Sequence, residues 1–162
     1  MKPLSERVMD WAVARLAQIA IADGYETDAG ANVSRARRTF GETELPALTV
    51  FEESEVPGNG QTSDETDSFT TRLGFAVFAH VVCDQADTGQ RLGLMRADVK
   101  RALMRPDALG NAGVSDDDGQ IGSLIYQGST AAPREDGASI ESVRVSFIAK
   151  YPETFGDPYR ND

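Results

Sequence analysis

Apolar positions at helical spacing open the chain. Leu4, Val8, Ala12, Leu16 and Ile19 recur with Trp11 beside them, and predict a helix over residues 4–22. Ser5 is its candidate N-cap and Gly24 its stop. Residues 31–39 read as an edge strand with Val33 as the one strongly apolar position, and residues 46–53 as a strand after a proline. The clearest strand covers 68–83. Phe69, Leu73, Phe75, Val77, Ala79, Val81 and Cys83 alternate with Thr70, Arg72, Gly74, Ala76, Phe78, His80 and Val82. One face is a core face throughout. The other turns apolar only near its end, which marks it for cover by another element or another chain. A second helix follows over 87–104, with Leu92, Met95, Val99, Ala102 and Leu103 as its stripe and Pro106 after its end. Residues 121–131 and 139–151 read as a long hairpin, with Pro133 to Gly137 as the turn.

This order predicts an α+β fold: a mostly antiparallel sheet of four to five strands with two helices packed on one face. It is read as a single domain over residues 1–151, with mobile loops at about 54–67 and 106–120. Residues 152–162 read as an extended C-terminal arm carrying Phe155 and Tyr159. No internal repeat or low-complexity block interrupts the pattern.

Composition narrows the partners. A chain of 162 residues suits one domain with a full core. Its formal charge of −10 opposes attraction to nucleic acid or an anionic membrane through the overall field. Residues 51–70 hold Glu52, Glu53, Glu55, Asp64, Glu65 and Asp67 without a base, so the first loop is acidic. The single cysteine, Cys83, allows no internal disulfide and points to a reducing compartment. The first residues do not read as a signal peptide, and no apolar run approaches the roughly 20 residues of a membrane span.

Catalytic chemistry is sparse. His80 is the sole histidine, and strand alternation puts it on the face opposite Cys83. Asp116-Asp117-Asp118-Gly119 invites a calcium reading. An EF-hand alignment places Val114 and Ile125 at ligand positions, where neither can serve. Asn32-Val33-Ser34 matches a glycosylation sequon without a secretory context. No phosphate-binding glycine motif opens a helix. The residues therefore suggest no catalytic group, no metal and no cofactor. The tight basic cluster Arg35, Arg37 and Arg38 reads as a solubilising edge strand or as a surface for an acidic partner, such as the acidic loop of a second copy. Phe78, Phe155 and Tyr159 are the apolar candidates for contact with another chain.

One stretch resembles a known group. An amphipathic helix runs into Ile21-Ala22-Asp23-Gly24-Tyr25-Glu26-Thr27-Asp28-Ala29-Gly30. Asn32-Val33, an arginine-bearing segment and Leu45-Pro46-Ala47-Leu48-Thr49-Val50 follow. This is similar to the tail terminator and tail completion proteins of long-tailed, lambda-like bacteriophages and prophages. The resemblance implies a non-enzymatic virion protein that forms a ring, typically a hexamer. Such a ring caps the head-proximal end of the tail tube, stops tube polymerisation and meets the head–tail connector protein. DNA passes through its lumen without specific binding. The protein would be assembled in the bacterial host cytoplasm and reside in the virion tail.

Two alternatives stay open. One is another head–tail joining protein on the portal side. The other is a small cytosolic enzyme or ligand-binding domain that uses carboxylates such as Glu52, Glu53 and Asp84 at strand ends.

Overall fold

A computed structural model describes residues 2–58, 68–83, 86–105, 113–117, 119–131, 139–154 and 156–159. Two helices, α1 (Leu4–Leu16) and α2 (Thr88–Met104), lie against a curled six-stranded sheet. The strands are β1 (Val33–Arg35), β2 (Ala47–Pro57), β3 (Ser68–Val82), β4 (Gly113–Asp116), β5 (Gly119–Ala131) and β6 (Ile140–Thr154). Their spatial order is β1-β2-β3-β6-β5-β4. All neighbours are antiparallel except β1 and β2, which are parallel.

The α+β class and the two helices match the sequence reading, while the sheet is larger and mixed. The additional strand β4 falls inside the segment read as the loop 106–120. It is short, and its residues carry the polar composition of a turn. What holds it is tertiary: Arg7 on α1 reaches Asp116 with two hydrogen bonds of 2.6 and 2.8 Å. Val114 is fully buried in the core. The expected strand 31–39 shrinks to Val33–Arg35, because Ala36 turns into the left-handed region at φ 55°.

The first helix ends at Leu16, earlier than the spacing suggested. Ile19 is buried all the same, and its carbonyl accepts from the Gly30 amide at 3.0 Å. A Cβ on Gly30 would lie 2.6 Å from that carbonyl oxygen, so the chain can cross there only as glycine. Pro3, not Ser5, stands at the N-cap of α1. Its fixed φ leads into the first turn, where backbone donors lack partners in any case.

The core lies between the helices and one sheet face. Leu4, Val8, Trp11 and Leu16 of α1 meet Met95, Val99 and Leu103 of α2. Leu73, Phe75 and Val77 of β3 and Val145, Phe147 and Tyr151 of β6 line the sheet side. Phe75 and Phe147 stack at 5.5 Å between centroids. Truncating either ring to alanine would cost about 3–5 kcal/mol.

The segment read as the loop 54–67 begins as strand: Ser54 to Pro57 continue β2, and residues 59–67 lie outside the described residues. The C-terminal arm likewise starts as the end of β6, through Thr154. It then turns back to α1, where the Leu4 amide donates to the Pro158 carbonyl at 2.9 Å. Among the described residues no helix is long and apolar enough to cross a membrane.

Candidate interaction surface

Because both helices pack on one side, strand alternation leaves a second sheet face that no helix covers among the described residues. Register places Thr49 and Phe51 of β2 beside Phe78 and Ala76 of β3, and these beside Arg144 and Ser146 of β6. Ile125 and Ile148 continue the same face across β5 and β6. Phe51 and Phe78 meet edge to face at 5.5 Å, with an interplanar angle of 83°. Phe40, from the segment after β1, folds over His80 at 4.9 Å. Arg37 caps the Phe40 ring at 4.6 Å. Ala47, Thr49 and Ala76 are fully buried among these larger groups.

His80 is built into this patch as a polar bridge. Its Nδ1 lies 2.6 Å from the Ser142 hydroxyl, and its Nε2 lies 3.4 Å from that of Thr49. Burial disfavours the charged ring and pushes its pKa down to about 4. A neutral imidazole between two hydroxyls serves as a hydrogen-bonding spacer. Among the described residues its hydrogen-bond partners are these two hydroxyls.

The sequence-derived candidates separate in space. Arg35 pairs with Glu6 at 2.6 Å, tying β1 to α1. The Arg35 guanidinium holds the Glu6 carboxyl below its usual range. Arg37 pairs with Glu44 at 2.7 Å and lowers its pKa in the same way. Two of the three arginines therefore bind acids of their own chain. Arg38 is exposed. Glu53 accepts from Arg144 across the open face. Glu55 accepts from the Tyr151 hydroxyl at 2.7 Å. Burial of that hydroxyl, with Glu55 beside it, raises the tyrosine pKa strongly. Glu52 stands exposed on β2. Tyr159 is exposed near the start of α1, while Asp64, Glu65, Asp67, Asp84 and Phe155 lie outside the described residues.

The open face thus joins Phe78 to Phe51, Phe40, His80 and the Glu53–Arg144 pair, groups that the sequence reading left apart. Alternation within β2 carried the signal for Phe51, since it shares the parity of Thr49 rather than that of Leu48 and Val50. The contact of Phe40 depends on how the chain turns at Ala36, which no periodicity encodes.

A carboxylate pair other than the residues named for the enzyme alternative borders a cleft. Glu55 and Glu153 border an open cleft of about 210 Å³ with Ser5, Phe69 and Thr71. Each carboxylate is already engaged by a hydroxyl, Tyr151 for Glu55 and Thr71 for Glu153, the latter at 2.7 Å. Among the described residues no group of three or more His, Cys, Asp or Glu side chains could hold a metal ion. Asp116, the first residue of the Asp116-Asp117-Asp118 run, is the partner of Arg7.

No known protein family matches the sequence, and no curated protein matches it. Among the solved structures that match, one aligns over 94% of this chain and 92% of its own, at 12% identity and a TM-score of 0.40. A likeness that loose carries no argument about fold or function.

Proposed function

We propose that this chain is a structural virion protein, a tail terminator. In this reading it assembles as a ring on the head-proximal end of a tail tube, halts tube growth and joins the tail to the head connector. The observation that supports the reading most is the open sheet face. It carries an aromatic patch and an ion pair, and no helix lies over it among the described residues. A half-buried aromatic centre with a charged rim is the composition of a protein–protein contact. The residues that carry the family resemblance supply part of this surface, including Ala47 and Thr49. In the ring this face offers Phe78 and Phe51 as a contact for the tube or the connector.

The test is negative-stain imaging of the purified protein mixed with tubes assembled from the adjacent tail tube protein. The expected result is density at one tube end together with arrested length. Tubes that grow unchanged in excess protein would refute the terminator role. Binding to a purified connector alone would instead support a joining protein on the portal side.

A further inference from the structure

The sheet ends in two unfinished edges. On one side, β1 pairs with Leu48, Thr49 and Val50 of β2. Among the described residues no strand pairs with the outer edge of β2 from Phe51 to Pro57. On the other side, β4 pairs with β5 only as far as Ser123. Among the described residues the outer edge of β5 from Leu124 to Ala131 is likewise open. Open strand edges invite pairing with another chain, and proteins that stay monomeric usually guard them with charge. The β2 edge carries Glu52, Glu53 and Glu55, whereas β5 has no charged residue along its whole length.

We infer that copies of this chain join head to tail, with the open edge of β5 in one copy pairing with the open edge of β2 in the next. The inference rests on the ring reading above and adds how the ring closes. Four observations carry it. First, direction: β2 is antiparallel to β3, β3 to β6 and β6 to β5, so β2 and β5 run opposite ways. Two copies in the same orientation then meet as antiparallel strands, and equal orientation is what cyclic symmetry requires.

Second, fit. With β5 running 124 to 130 against β2 running 57 to 51, the paired stretches match in length. β1 of one copy then abuts the end of β5 in the other, and β4 abuts the end of β2, so the two short strands act as stops that set register. Third, curvature: a bulge interrupts β2 between Glu52 and Ser54 and another interrupts β5 between Tyr126 and Gly128. Both lie close to the level of Phe147 on β6. Bulges bend a sheet, and a sheet closed around an axis needs that bend. Fourth, charge. The glutamates of β2 disfavour a β2–β2 contact, while the neutral β5 accepts them. Lys100, over the Tyr126 ring at 4.6 Å, adds a positive group on the helix side of β5.

The predicted register sets Val56 of one copy opposite Ile125 of the next, both on the open face. In a Cys83→Ser background, Val56→Cys and Ile125→Cys combined should give, on oxidation with diamide, a covalent ladder ending at the ring size. Each single variant should run as a monomer on a denaturing gel, and thermal unfolding should report whether each is folded. As a second probe, Gln127→Glu should weaken ring formation roughly two- to fivefold per contact, and Gln127→Lys should not. Native mass spectrometry of the unmodified protein, alone and on tubes, separates the possible failures. Rings without a ladder in the double variant overturn the edge pairing and leave the ring reading standing. Covalent dimers from the Ile125→Cys single variant overturn it in favour of a two-fold β5–β5 contact. Monomers both alone and on tubes overturn the ring reading as well.

Discussion

His80 shows how one residue ties packing to pH. Burial holds its pKa at about 4 in the folded chain, against an ordinary value of 6.5. Between these values the unfolded chain takes up a proton that the folded chain refuses, so stability falls as pH drops from about 6.5 toward 4. The loss reaches at most about 3 kcal/mol, at about 1.4 kcal/mol for each pH unit. Glu6 and Glu44 have lowered pKa values, so their contributions are lost only below their ordinary range near 4.5. The window from pH 6.5 to 5 therefore isolates the histidine. Urea midpoints across that window should fall in the wild type and stay level in His80→Gln; parallel slopes in the two proteins would contradict this account. Asp98 is a second buried polar residue, and it acts through hydrogen bonds. It is 2% exposed on α2 and accepts from the Glu26 amide and the Thr27 hydroxyl, the latter at 2.8 Å. Asp98→Ala removes the acceptor of those part-buried donors and should cost about 1–2 kcal/mol in chemical denaturation. Amide exchange at Glu26 should accelerate with it.

At the scale of elements, long periodic segments were legible in the sequence and short ones were not. The alternation from Phe69 to Val81 located β3 within one residue of its end, and the Leu92–Leu103 stripe located α2. Each buries enough side chains on one face for its period to dominate. β1 and β4 are too short to show a period, and exist because Leu48 to Val50 and Gly119 to Ser123 offer edges to pair with. The open face was legible as a mixed face of β3, yet its occupants Phe40 and Arg144 come from distant segments. Phe78→Lys places a cation beside Arg144, its register partner, and removes the edge-to-face contact with Phe51. The monomer should lose roughly 1–2 kcal/mol and stay folded, since Phe78 lies outside the helix-covered core. Negative-stain imaging should show rings retained and tube capping lost or sharply weakened. Tubes still capped by folded Phe78→Lys would remove this face from the contact.

The whole molecule carries a formal charge of −10, yet its charges are unevenly spread. Among the described residues, the open sheet face bears Arg72, Arg144 and Lys150, with Arg144 bound to Glu53. The edge of β2 bears the acids. A protein that lets DNA pass must not hold it, and retention depends on how many phosphates find a free cation. A few cations against an acidic background give a short, reversible contact at most. Gel-shift and filter-binding assays with duplex DNA at about 0.15 M salt should therefore show no retention, and exposed pairs are already screened at that strength. Weak binding near 0.01 M salt that vanishes on raising salt fits the same balance, since each neutralised phosphate adds close to one unit to the salt slope. Tight binding that persists at 0.15 M would mean that assembly brings cations together faster than acids. It would turn the proposed conduit into a DNA-gripping part, with Arg72 and Lys150 the first residues to change to glutamine.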